Sequence, residues 1–299
     1  MKNNLVNWLI FVALSIIWGS SFILMKIGLD NQLGPYQVAA LRIVFAGLVL
    51  LPTTIKHIRH IPRYKLFLVF MSGTLGSLLP AFLFCLAEEG IESSLAGTLN
   101  CLTPIFVIVT GAVFYKTSTS INKIAGIGIA FVGSFLLLFS KGHLQQSQHL
   151  VFVSFVVLAA FFYGFNVNMV ARHLLTIPSL HIAAIALSLN AIPAMLVLIC
   201  TGFFNMPLAS HPLLIAVGAA AFLGIIGTAF ASIIFYTLVK RAGGIFASMV
   251  TYGIPFVAIG WGIFYGEVYN LEQIGCLLII LFGVYWGNKK EVFNKKTSG

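Results

Sequence analysis

Two apolar stretches broken by prolines carry the residues in this 299-residue sequence best suited to binding chemistry. In the stretch from Ser94 to Lys116, Pro104 follows Asn100 by four residues. In the stretch from Gly244 to Glu267, Pro255 follows Thr251 by the same four. A proline has no amide hydrogen, so inside a helix it strands the carbonyl four residues back. Two polar residues therefore present freed carbonyls near the middle of apolar helices. The expectation is that Thr98, Asn100, Thr103, Ser248, Thr251 and Tyr252 line a polar cavity and hydrogen-bond a solute, with Pro104 and Pro255 as the kinks. The competing reading has the same side chains mending the kinks or packing against neighbouring helices.

A second set lies in two other apolar stretches. Trp18, Ser20 and Ser21 correspond roughly to Tyr163, Asn166 and Asn168. Asn166 is too deep in its span to face solvent. Trp18 falls about halfway across, so Trp18, Ser21, Tyr163 and Asn166 are further candidates for the cavity wall. Arg42 sits several residues inside the second span, where ionisable groups are costly and usually functional. Its guanidinium could hold a carboxylate or phosphate in a two-pronged fork. Alternatively it reaches outward or pairs with Glu88, Glu89 or Glu267. Lys26 and Glu267 carry the same ambiguity between function and structure.

These residues need a membrane to position them. The chain is 60% hydrophobic and 8% charged, with a mean hydropathy of +1.03, whereas a soluble domain carries roughly 25% charge. Apolar runs long enough to cross hydrocarbon fall near 6–27, 36–55, 66–87, 94–115, 121–139, 150–171, 180–201, 213–239, 244–265 and 271–287. The first run continues to Leu29, past the small residues Gly19, Ser20 and Ser21, and reads as a spanning helix rather than a cleaved leader. With the N-terminus inside, 14 of the 17 basic residues fall on the cytoplasmic side, the arrangement that fixes orientation. The net charge of +10 is thereby explained by topology and contact with anionic lipid, without nucleic acid. The four cysteines lie in apolar runs without metal-ligand spacing and read as bilayer-buried thiols.

The two kinked stretches also share a grammar. At an offset of 151 residues, Gly76, Phe84 and Pro104 map onto Gly227, Phe235 and Pro255. Five spans per copy is an odd number, so the second copy lies upside down relative to the first. Equivalent loops carry opposite charge: Glu88-Glu89 against Lys240-Arg241, and Lys116 against Glu267. The expected architecture is an all-α integral membrane protein of ten transmembrane helices in two inverted five-helix repeats, residues 1–144 and 145–299. Inverted repeats of this kind carry a solute site near the midplane between halves.

Several motifs, taken in order, resemble a known family. They are Trp18-Gly19-Ser20-Ser21-Phe22 with Lys26, Ala40-Leu41-Arg42, Leu102-Thr103-Pro104, Tyr163-Gly164-Phe165-Asn166, and Gly266-Glu267. The chain is similar to the drug/metabolite transporter superfamily and its ten-helix EamA-type members. It departs at Tyr115-Lys116, where the family often has Gly-Glu. The resemblance implies transport of a small metabolite, mostly outward; an amino acid or related polar or amphipathic solute is the expected cargo. It also implies a multi-pass inner-membrane protein, here with both termini cytoplasmic, working by alternating access with protons or a counter-substrate as candidate coupling partners. A lipid-linked flippase of the same superfamily is the alternative.

An intramembrane enzyme is disfavoured by the residues themselves. The single aspartate, Asp30, rules out an aspartyl dyad or aspartate-rich motif, there is no His-Glu-x-x-His pattern, and Ser20-Ser21 has no membrane-buried histidine as base. No cofactor and no metal is called for. Oligomeric state is unassigned: Gly283 and Gly287 permit close helix contact, with a partner in this chain or in another subunit.

Overall fold

A computed structural model describes residues 2–140, 149–207, 209–264 and 271–288, and these are almost wholly helical. The first five helices are α1 Lys2–Asp30, α2 Pro35–His57, α3 Arg63–Ala87, α4 Leu95–Tyr115 and α5 Ile121–Ser140. The second five are α6 His149–His173, α7 Ser179–Cys200, α8 His211–Ala242, α9 from Gly244 to Phe264, and α10 Leu271–Asn288. Seven of them are long and apolar enough to cross a membrane, and three shorter apolar helices lie in α5, α9 and α10. The protein is an all-α membrane protein. As expected, α1 runs unbroken through Gly19-Ser20-Ser21.

Four of these helices are locally re-wound, in two pairs. Both α3 and α8 contain a π-helical segment, Thr74–Leu78 and Leu223–Phe230. Both α4 and α9 tighten into a 3-10 turn ahead of the proline, Asn100–Leu102 and Met249–Gly253. The pairs fall at the offset of 151 residues that relates Gly76 to Gly227 and Pro104 to Pro255. In α3 a neighbouring side chain accompanies the distortion. Asn190 of α7 donates to the Phe70 carbonyl (3.1 Å), and Thr74 Oγ1 donates to Asn190 Oδ1 (2.9 Å). Interruptions of the i→i−4 ladder by an inserted side chain are a recognised origin of such irregularities.

The tightened turns correct one expectation. Pro104 and Pro255 do remove an amide, but the carbonyls of Asn100 and Thr251 are not left free. The Thr103 amide donates to the Asn100 carbonyl and the Ile254 amide to that of Thr251. A 3-10 turn bonds i to i+3, so it satisfies the group that the proline would strand. Cys101 Sγ adds a weak contact to the Thr251 carbonyl at 3.4 Å.

The most extensive helix contacts are α2 against α7 and α5 against α10. In the first, a Cβ on Gly47 would meet the Leu187 carbonyl at 2.9 Å, and Ser188 donates to the Gly47 carbonyl at 3.0 Å. In the second, Gly126 faces Gly287 and the Gly283 carbonyl, so the small residues of α10 have their partner within this chain. Such backbone approach suits a bilayer, where apolar burial drives no association and close packing must supply it. All four cysteines are free; Cys85, Cys101 and Cys276 are buried, while Cys200 ends α7 at the protein surface.

Candidate substrate cavity

Where the re-wound segments converge, the helices enclose a cavity. It has about 770 Å³ of space with its open mouth included, but only about 60 Å³ is open to the centres of water molecules. Its walls come from α1, α2, α3 and α4 on one side of the duplication and α6, α8 and α9 on the other.

Nine of the eleven candidate residues line it: Trp18, Ser21, Arg42, Asn100, Thr103, Tyr163, Asn166, Ser248 and Thr251. The other two do not. Tyr252 is fully buried and donates its hydroxyl to the Ile127 carbonyl at 3.1 Å, tying α9 to α5. Successive residues of a 3-10 turn point about 120° apart, so Tyr252 leaves the face that Ser248 and Thr251 share. Thr98 is half-buried and lies two α-helical residues, about 200°, before Asn100. The two prolines are likewise absent from the wall.

The polar groups of the wall are mostly tied down within the protein. Trp18 Nε1 donates to the Gly227 carbonyl at 3.1 Å, which the π-segment of α8 turns toward α1. Ser21 donates to the Ile17 carbonyl and Thr251 to that of Ser248. Thr103 Oγ1 donates to Asn100 Oδ1 at 2.9 Å. Outside the wall, Asn168 donates to the Val107 carbonyl at 2.7 Å and joins α6 to α4. Ser20 accepts from Trp261 Nε1 at 2.8 Å.

Two groups in the wall are different. Arg42 is 8% exposed and is the charged member of the wall. Its Nε donates to Thr228 Oγ1 at 2.6 Å, and Nη1 lies 3.8 Å from Met25 Sδ. The pairing considered for it with Glu88 or Glu89 is not formed: among the described residues the ion pair is Lys26–Asp30, at 3.1 Å. That pair is more than half exposed on both sides, and such pairs contribute little. It places Lys26 outside the cavity. Glu267 lies outside the described residues. The second group is Asn166, which is 2% exposed and whose Oδ1 has no hydrogen-bond partner.

Much of the wall that the sequence reading did not single out comes from α3 and α8: Gly76, Ser77 and Phe84, then Gly227, Thr228, Phe235 and Tyr236. A signal was available, because Gly76 and Phe84 are two of the residues that repeat at Gly227 and Phe235.

Just beyond α3, Glu88 is 4% exposed and neither carboxylate oxygen has a hydrogen-bond partner. Burial pushes its carboxyl well above the usual carboxylate range; the Ser93 hydroxyl, near the carboxyl but outside hydrogen-bond geometry, and the charges of Lys26 and Arg42 oppose that rise, and Asp30 adds to it. An acid whose pKa is raised by folding stabilises the fold below its unfolded pKa, and that stability is lost as pH climbs toward the folded value. Glu88→Gln should therefore flatten the pH dependence of thermal unfolding in detergent above about pH 5. At pH 8 the variant should be the more stable of the two, by about 1.4 kcal/mol or more, the equivalent of each pKa unit by which folding raises the carboxyl, because glutamine has no proton to lose. Parallel pH profiles for the two proteins would show that Glu88 is charged in the fold.

A largely apolar cavity enclosed by membrane-spanning helices, with Arg42, Asn100 and Asn166 set into its wall, suits a membrane carrier. The model of the EamA-like transporter family matches the chain twice, over residues 6–139 and 150–288. The chain belongs to that family and is a membrane transporter of small metabolites. It is 26% identical to an uncharacterized transporter of Archaeoglobus fulgidus, over 93% of this chain and 97% of that one. It is 20% identical to the protein PagO of Salmonella typhimurium, over 93% and 91%. Similarity to a probable amino-acid metabolite efflux pump of Escherichia coli is 29% identity, over 48% of this chain and 46% of that one. A crystal structure 15% identical in sequence has the same fold, with a TM-score of 0.73 and coverage of 98% and 99%.

Proposed function

We propose that the protein is a secondary carrier that exports a small polar or amphipathic metabolite by alternating access. Its two halves, residues 1–144 and 145–299, act as inverted repeats in the inner membrane, with both termini in the cytoplasm. The observation that carries this reading is the cavity, walled by α1, α2, α3 and α4 together with α6, α8 and α9. The paired π-segments and paired 3-10 turns support a pseudo-twofold relation between those halves. Alternating access also suits the narrowness of the space, because a metabolite enters only when the walls part. The outward direction and an amino-acid-like cargo are supported by the efflux-pump relative. Within the site, Trp18, Tyr163, Asn100, Thr103, Ser248 and Thr251 shape and hydrogen-bond the cargo.

The test has two arms. Single cysteines at Lys116 and Glu267 should label from opposite faces of the membrane; labelling from one face would end the inverted-repeat reading. Purified protein in liposomes should move one or more solutes of a metabolite panel. Failure with every solute, in a correctly folded preparation, would end the carrier reading of the cavity.

A further inference from the structure

The cavity wall contains one cation and no acidic side chain among the described residues. Arg42 is more than nine-tenths buried; among the described residues no carboxylate lies within ion-pair distance of it, and its strong partner is the Thr228 hydroxyl. A guanidinium carries five donors, and the hydroxyl and the Met25 thioether use two of its nitrogens. A buried charge without a counter-charge is unfavourable, and at this depth in a membrane the bilayer sharpens that cost. Glu88, the nearby buried carboxyl, forms no ion pair with Arg42, so an anion held in the cavity is the partner that would meet the guanidinium directly. The second unsatisfied group has the opposite character. Asn166 Oδ1 is a buried acceptor that lacks a donor. Around both lies an apolar and aromatic surface that includes Trp18, Phe22, Phe84 and Phe235.

Resting on the carrier reading above, we infer that the cargo is an amphipathic organic carboxylate, whose anion engages Arg42, whose hydroxyl or N–H donates to Asn166, and whose apolar body packs against the aromatic wall. An ammonium group is not required, because the wall offers it no carboxylate. A cation of the same size is repelled. Zwitterions are accepted only through their carboxylate and one N–H, and they forfeit the hydration of the ammonium on entry. The site is thus selective for charge first and for the shape of the apolar body second.

Four probes share one phenyl body and separate these features: 3-phenyllactate (carboxylate and hydroxyl), 3-phenylpropanoate (carboxylate alone), phenylalanine (zwitterion) and phenethylamine (cation). Binding to the purified full-length protein is read by tryptophan fluorescence and flux by liposome assay. Phenyllactate should bind at least tenfold more tightly than phenethylamine, with phenylpropanoate between them and phenylalanine no tighter than phenyllactate. Arg42→Gln should lose at least tenfold in affinity for both carboxylates, and Arg42→Lys should recover part of that loss, since it keeps the charge without the fork. The ranking on the unaltered protein stands even if an Arg42 variant fails to fold. Tighter binding of phenethylamine or phenylalanine than of phenyllactate, or binding of none of the four, overturns the inference. Transport of a cationic solute, or of phenylalanine in preference to phenyllactate, by the same preparation would overturn it while leaving the carrier reading intact. Transport of no panel solute at all is the separate failure of that reading.

Discussion

Gly126→Leu is expected to prevent accumulation of folded protein. A Cβ at this position would lie 2.7 Å from the Gly283 carbonyl oxygen and collide with the backbone of Gly287. Backbone atoms cannot rotate away as a flexible side chain can, so α5 and α10 would have to separate along one of the two largest contacts in the protein. Overpacking of a close-packed site typically costs about 1–3 kcal/mol. A leucine wedged between two helix backbones belongs at or above the top of that range. Gly128, two residues on, supplies the control: a Cβ there meets nothing within 4 Å. Gly128→Leu should remain within about 0.5 kcal/mol of the parent. The measurement is the yield and melting temperature of monodisperse protein in detergent. Equal behaviour of the two variants would show that α5 and α10 do not meet at these glycines.

Asn166→Leu should separate function from stability. Its Oδ1 is buried without a partner, so removing it relieves an unfavourable group at nearly constant volume. The loss of whatever its amide offers Tyr236 is limited, because that hydroxyl also reaches the Ser72 carbonyl at 3.4 Å. Thermal stability should therefore change by no more than about 1 kcal/mol. Cargo affinity should fall by roughly tenfold or more, the value of about 1.4 kcal/mol for one satisfied hydrogen bond. Gly76→Ala tests the same group without touching its chemistry. The added methyl would lie 2.8 Å from Asn166 Cγ and push the side chain aside, and a similar loss of transport is expected. Unchanged transport in both variants would remove Asn166 from the site.

The candidate wall was legible in the sequence where polarity was out of place. A tryptophan, an arginine and two asparagines in the middle of apolar runs have few explanations, and Trp18, Arg42, Asn100 and Asn166 all line the cavity. Tyr252 and Thr98 were not legible as exceptions, because their faces depend on where α-helix gives way to 3-10 turn. The aromatic and glycine lining from α3 and α8 was hidden for the opposite reason. Phe84, Phe235, Gly76 and Gly227 look like ordinary membrane-helix residues, and only their recurrence at one offset marked them.

Composition and hydropathy were enough to determine an all-α membrane protein, because a bilayer admits only helices and closed barrels, and unbroken apolar runs of about 20 residues fit helices rather than barrel strands. The 151-residue echo was enough to suggest a duplication, since matching residues recur without any knowledge of contacts. What the prolines do was decided only in three dimensions. They signalled a break in each helix, yet a local 3-10 turn absorbs both stranded carbonyls and leaves them no role toward a cargo. The partner of Arg42 was likewise beyond the sequence. Three acidic residues were plausible by topology, but side-chain reach depends on how α2 meets α8. A Cβ on Gly224 would lie 2.5 Å from the Arg42 carbonyl, so α2 and α8 approach backbone to backbone here, and the guanidinium reaches Thr228 in the cavity wall.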